Sequence, residues 1–211
     1  CLNEIQKSTV KSLALFIKNT TGNIFLVGVG KNSTLAKHVA DTLKSISIRA
    51  FYFSTLNCTH GDIGVLQSDD LVIYLSKSGN TEELSNIVNL IKNKEIKTIL
   101  VSCNKISIIS KYVDHNICLP SCKETTFMVP TTSIIVFIFF FNMVINLLVY
   151  EKHLSIHEYG NNHPAGNIGF LLNNTVSSIM EKQNLPIISE NLKIIDIVFE
   201  MTKNKFPIIF Y

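Results

Sequence analysis

Leu71 to Thr81 reads LVIYLSKSGNT. An uninterrupted apolar run stops at a hydroxyl-rich, glycine-containing turn, and helical spacing follows from about Thr81 to Lys94. A strand buried on both faces reads as such a run, and parallel sheets bury both faces of their strands under crossover helices. The same grammar recurs outward in both directions. Ile24 to Gly28 (IFLVG) leads into a helical stretch from about Ser33 to Ser45, and Arg49 to Phe53 follows as a strand. Downstream, Thr98 to Ser102 (TILVS) precedes a short helix near Ile106 to Tyr112, and His115 to Leu119 is the last strand. Leu2, Ile5, Val10, Leu13 and Ile17 recur at helical spacing ahead of them. These alternations predict an α/β fold, a three-layer doubly wound sheet of about five parallel strands, flavodoxin-like in type.

With 211 residues and 46% hydrophobic content, the chain can build one sizeable core and part of a second unit. Its 19 basic residues stand against 16 acidic ones and form no stripe, so nucleic acid is not an expected partner. The 5 cysteines, at positions 1, 58, 103, 118 and 122, lack paired spacing and read as idle thiols in a reducing compartment. His115, Cys118 and Cys122 lack a fourth ligand, so no metal is expected. The chain starts at Cys1, without an initiator Met or a signal-peptide pattern, and reads as a fragment. Ser133 to Tyr150 (SIIVFIFFFNMVINLLVY) is uncharged and close to bilayer-spanning length. Asn142 and Asn146 interrupt it and its flanks lack anchoring residues, so a fully buried helix is expected, with no membrane partner.

In sheets of this type, ligands bind beyond the carboxyl ends of the strands. The turn Ser76-Lys-Ser-Gly-Asn-Thr81 supplies hydroxyls from Ser76, Ser78 and Thr81 and close backbone approach at Gly79. A helix N-terminus adds free N–H groups, and together these are the requirements of a phosphate site. An ordinary capped helix uses the same residue types. Gly28-Val-Gly-Lys31 also joins strand to helix, but Ser33 stands at the third glycine position of a dinucleotide fingerprint, and no P-loop pattern is present. No cofactor is therefore expected. Lys31 remains well placed to meet an anion or polarise a carbonyl.

Taken in order, these turns together with Thr59-His-Gly-Asp-Ile-Gly64, Lys123-Glu124, Pro130-Thr-Thr-Ser133 and His163-Pro-Ala-Gly-Asn-Ile-Gly169 resemble the SIS-domain arabinose 5-phosphate isomerases. That family's pattern runs G-x-G-K-S-G, H-G-D-L-G, S-N-S-G-E-[ST]-x-E, K-E-A-C-P, A-P-T-[ST]-S and S-H-P-G-G-x-L-G. The resemblance extends from about Gly28 to Gly169 and puts the family's active-site residues on Lys31, His60, Glu83, Glu124 and His163. It implies interconversion of D-ribulose 5-phosphate and D-arabinose 5-phosphate for Kdo and lipopolysaccharide supply, metal-free, in the cytoplasm. It also implies a dimer or tetramer in which His60 or His163 crosses to a neighbouring subunit. The chemistry is consistent with these residues, because moving a proton between C1 and C2 through an enediolate needs a base, an acid and charge stabilisation. In the roles expected here, Glu124 or His163 carries the carbon-bound proton, Lys31 steadies the enediolate oxygen, and Glu83 and His60 orient the substrate.

Departures from the pattern fall at Lys31-Asn-Ser33, which shifts a phosphate-contacting hydroxyl to Ser33, at Lys77 and Asn80 in the anion turn, at Lys123-Glu-Thr-Thr-Phe127, and at His163-Pro-Ala-Gly166. Two domains are expected, 1–172 as the SIS unit and 173–211 as the start of a cystathionine-β-synthase-like (CBS) repeat carried by Val176 to Met180, Leu185 to Ile188 and Leu192 to Thr202. Alternative readings are an isomerase of another phosphosugar on the same fold, such as sedoheptulose 7-phosphate, and a non-catalytic sugar-phosphate sensor.

Overall fold

The computed structural model describes residues 2–121, 123–182 and 187–204, and the chain divides into two compact units, 1–163 and 164–211. Cys1, Cys122, Leu185, Pro186 and the stretch from 205 onward lie outside the described residues.

Five strands form the sheet of the first unit: β1 (Ile24–Gly28), β2 (Ala50–Tyr52), β3 (Leu71–Leu75), β4 (Lys97–Ser102) and β5 (His115–Cys118). All pairings are parallel, in the order β2-β1-β3-β4-β5. Every residue of β1 and β3 is buried, which is why these two strands read as unbroken apolar runs. Ile24, Leu26, Leu71, Ile73, Ile99 and Val101 face a core closed by α1 (Lys7–Asn19), α2 (Lys31–Ser45) and a long later helix, Thr132–Glu151. Phe25, Val27, Val72, Tyr74 and Leu100 face the opposite core. Cys58 of the one-turn α3 (Thr55–Cys58) and Leu84, Ile87, Val88 and Ile91 of α4 (Glu82–Ile91) close that side.

Crossovers on opposite faces make the strand order reverse between β1 and β3. At such a reversal the loops leaving two neighbouring strands diverge and open a crevice at their carboxyl ends. The loops after β1 and β3, residues 29–30 and 76–81, flank it, with Lys31 opening α2.

The expected elements are present with shifted ends. The opening helix starts at Lys7 after a single 3-10 turn over Leu2–Glu4. The short helix near Ile106 to Tyr112 reduces to one 3-10 turn, Ile109–Lys111, because Ser107 and Ser110 bond each other's backbone and hold the chain in a turn.

The apolar segment forms α5 (Thr132–Glu151). Its mean hydropathy of 2.4 and its 20 residues meet the requirement for spanning a bilayer. Instead, it packs against α1 and α2 and buries Val136, Phe137, Phe140, Phe141, Val144 and Leu148 in the first core. Burial is one-sided rather than complete. Ile135, Phe139 and Tyr150 stay exposed on a stripe that also carries Asn142 and Asn146, since only one side of the helix faces the sheet.

α6 (Ile156–Asn161) ends the first unit and starts on a capping box between Ser155 and Glu158. In the second unit, α7 (Asn167–Asn173), α8 (Val176–Ile179) and α9 (Ile194–Asn204) follow in order, and Ile194, Ile195, Val198 and Phe199 of α9 are exposed.

Phe140 is fully buried while Asn142 lies on the exposed stripe. Phe140→Ala should therefore cost about 3–5 kcal/mol of folding stability, and Asn142→Ala should stay within about 0.5 kcal/mol. Chemical denaturation of both variants checks this.

Candidate functional site

The turn after β3 is shaped from behind. The Lys77 carbonyl accepts from the Cys103 N–H at 2.9 Å, that of Ser78 from Asn104 Nδ2 at 2.9 Å, and that of Gly79 from the Ile109 N–H at 3.0 Å. A fourth tether runs from the Ile108 N–H to Asn80 Oδ1 at 2.8 Å. In a trans peptide the C=O of one residue and the N–H of the next point opposite ways, and no bond here is cis. Three carbonyls turned back toward the β4 loop therefore put the N–H groups of Ser78, Gly79 and Asn80 on the other side of the turn, where those of Gly79 and Asn80 are donated to Ser76 Oγ and Ser78 Oγ. Successive N–H groups on one side form an anion-binding nest.

Gly79 makes this geometry possible. Its φ of +66° is left-handed, and a Cβ there would run into the Ser107 side chain. The hydroxyls lie inside the same curl. Ser76 Oγ, buried, accepts from the Gly79 N–H at 3.0 Å and meets Thr81 Oγ1 at 2.9 Å. Ser78 Oγ accepts from the Asn80 N–H at 3.1 Å. Thr81 is the N-cap of α4 and its side chain caps no backbone N–H, so the first-turn donors add to the positive end of the helix. The turn Ser76–Thr81 thus gathers the hydroxyls and N–H groups singled out from sequence.

Across the crevice, Lys31 is the first residue of α2 and is exposed. The turn that carries it folds tightly onto its own strand, because a Cβ at Gly28 would collide with the Asn32 carbonyl. Ser33 is spent locally, its Oγ donating to the Gly30 carbonyl at 2.7 Å. Glu83, in the first turn of α4, is exposed, as is His60 in the loop after α3.

Glu124 is held far more tightly. Its Oε1 accepts from Lys77 Nζ at 2.6 Å and from the Ser133 hydroxyl, and its Oε2 accepts from the Thr131 N–H at 3.0 Å and the Ser133 N–H at 3.2 Å. Thr131, the N-cap of α5, makes no side-chain cap of its own, so Glu124 caps the helix from upstream in the chain. The side chain is only 5% exposed. Burial pushes the carboxyl pKa up, but the bonds from Lys77, Ser133 and Thr131 outweigh it and hold the group at about 2.

His163 sits elsewhere. Its neighbour Asn162 donates to the Ser45 carbonyl at 3.0 Å and to Ser47 Oγ at 2.8 Å, at the carboxyl end of α2. Lys31 opens that same helix, so its length of about 20 Å separates Lys31 from His163 within one chain. The imidazole lies against the Tyr159 ring, centroids 4.3 Å apart, with Nδ1 2.9 Å from the Tyr159 carbonyl. A carbonyl only accepts, so Nδ1 carries the proton and Nε2 of the neutral ring presents a lone pair.

Within one chain the fold therefore gathers Ser76, Ser78, Gly79 and Thr81 at one turn, flanks the crevice with Lys31, and ties Glu124 to the turn through Lys77. It does not bring His163 to them. Sequence reasoning noted Asn80 only as a departure from the family pattern and missed Asn104 and Ser107, which shape the turn with it, because only the adjacency of β3 and β4 brings their loops together. The thiol of Cys58, just upstream of His60, is buried and pushed up to about 12 by that burial, which leaves it without nucleophilic character. A separate concavity of about 500 Å³ lies at the amino ends of β4 and β5, beside Lys97 and Asp114, away from all these groups.

The SIS domain family model matches residues 17–147. An uncharacterized protein of Chlamydia pneumoniae is 32% identical over 83% of this chain and 54% of its own length. The arabinose 5-phosphate isomerase KpsF of Escherichia coli O6:H1 is 27% identical over 78% of this chain and 51% of its own. Among solved structures, an Escherichia coli CFT073 protein in complex with arabinose 5-phosphate superposes with a TM-score of 0.73 at 24% identity, over 77% of this chain and 88% of that one. The chain spans about half to three-fifths of the length of the curated relatives it matches.

The depressed Glu124 carboxyl fixes the sign of an acid response. Its contribution to stability is complete above the ordinary carboxyl value of 4.5 and is lost as pH falls toward about 2. Glu124→Gln should be less stable than wild type at neutral pH, and the gap should close between those two pH values. Thermal melts across that range check it.

Proposed function

This chain belongs to the SIS domain family, and we propose that it is a sugar-phosphate isomerase that interconverts D-ribulose 5-phosphate and D-arabinose 5-phosphate. The observation that carries this reading is the hydroxyl-lined turn Ser76–Thr81 at the start of α4, set on the β1/β3 crevice with Lys31 on its far wall. That pairing suits a substrate with a phosphate at one end and a carbonyl at the other. The name of the KpsF relative supports the choice of sugar, and a solved structure of the same fold holds arabinose 5-phosphate.

In the proposed reaction, phosphate is held by Ser76, Ser78, Gly79 and Thr81. Lys31 stabilises negative charge on the enediolate oxygen, and Glu83 and His60 orient the sugar. The carbon-bound proton moves through His163, whose Nε2 lone pair makes it the better base of the two candidates, since Glu124 is held ionised by its four donors. His163 has to come from a second copy of the chain. Exposed Phe127 and Met128 beside the Glu124 segment, with Ile135 and Phe139 on α5, support such a partner, because large exposed apolar groups mark contact surfaces. The proposal extends to a cytoplasmic dimer or tetramer serving Kdo and lipopolysaccharide synthesis, and to a CBS-like start from residue 173.

Incubating the protein with D-arabinose 5-phosphate and EDTA should yield ribulose 5-phosphate by NMR. Binding without conversion would turn the reading to a sensor, and conversion of a different phosphosugar would turn it to another isomerase of the same fold. His163→Ala and Lys31→Ala should each lose activity by orders of magnitude. If His163 crosses between subunits of a symmetric dimer, co-refolding the two variants in equal amounts should restore about a quarter of wild-type activity. No restoration would put His163 outside the site.

A further inference from the structure

Glu124 and Lys77 lie 47 positions apart in sequence, yet pair at 2.6 Å and tie the Glu124 segment to the anion turn. Lys77 belongs to the turn itself. Its carbonyl is pinned by the Cys103 N–H at 2.9 Å and its ammonium by Glu124 at 2.6 Å, so a long flexible side chain is fixed at both ends. An ionised carboxylate offers about four lone-pair positions. Those of Glu124 are occupied by Lys77, by the Ser133 hydroxyl and by the N–H groups of Thr131 and Ser133. To accept a proton from substrate carbon, the group would first have to release one of these donors and expose an oxygen that is now buried.

We propose that Glu124 is a positioning residue that anchors the Lys77 ammonium at the rim of the anion turn, and that the pair sets the affinity of the turn for phosphomonoester dianions. This rests on the phosphosugar reading of the site. A bare carboxylate beside the anion turn would repel a dianion, and Lys77 cancels that charge. The Lys77 side chain stays partly open, at 40% exposure, while paired to its carboxylate partner at 2.6 Å. The α5 cap and the phosphate turn then become one electrostatic unit, in which Glu124 positions the Lys77 ammonium and Lys77 in turn cancels the Glu124 charge.

A double-mutant cycle tests this with two ligands, inorganic phosphate and D-arabinose 5-phosphate, titrated into the full chain by calorimetry, with circular dichroism to check folding. Lys77→Met should weaken binding about tenfold, Glu124→Gln about threefold, and the double variant about threefold instead of the thirtyfold expected for independent groups. In turnover, the losses in Glu124→Gln should fall mainly on KM. Independent, multiplying effects would overturn the proposal. So would a Glu124→Gln enzyme that binds like wild type but loses kcat by orders of magnitude, the signature of a proton carrier. A wild-type chain that binds phosphate but converts no sugar would overturn the isomerase reading while leaving the cycle readable. One that binds neither ligand would overturn both.

Discussion

Everything at the candidate site depends on four hydrogen bonds donated by the loop after β4 to the turn after β3. A turn of small polar residues has no packing of its own to fix its shape, and each of its buried carbonyls must find a donor. The neighbouring loop supplies those donors on one side only, and on the other the Gly79 and Asn80 N–H groups close onto the hydroxyls of Ser76 and Ser78. The direction of the peptide dipoles in the crevice is thus decided by a strand that contributes no group to the crevice itself. Parallel pairing of β3 with β4 is what sets the two loops side by side, and both cores of the sheet hold that pairing in place.

Most of the sheet was legible because burial on both faces leaves a strand no polar position. Ile24–Gly28 and Leu71–Leu75 match the expected runs end for end. The outer strands, with one edge toward solvent, blur by a residue at their ends, as β2 and β5 do. The turn of Ser76 to Thr81 was legible by residue type, and its N–H direction was not, since Asn104 and Ile108 have no local pattern that points to it. Likewise, nothing in the order of motifs tells which end of α2 His163 adjoins. That follows from Asn162 bonding Ser45 and Ser47, residues far from it in the chain.

Glu124 illustrates how a residue can match a functional motif and still be governed by the needs of secondary structure. A helix that starts at Thr131 without a side-chain cap leaves N–H groups that need an acceptor, and a carboxylate is the strongest one available. The two N–H bonds that satisfy the helix, together with those from Lys77 and the Ser133 hydroxyl, lower the proton affinity of the carboxylate. α5 shows a parallel tension. Its composition suits lipid, yet its placement against α1 and α2 uses the same apolar side chains to close the first core.

The four tethers differ in what they demand of the genome. Those from Cys103 and Ile109 run between main-chain atoms, so any residue other than proline can stand at either donor position without breaking them. Only the tethers through Asn104 and Asn80 draw on a side chain. The cradle is consequently tolerant of substitution at those two donor positions, since its shape there is written in the main chain.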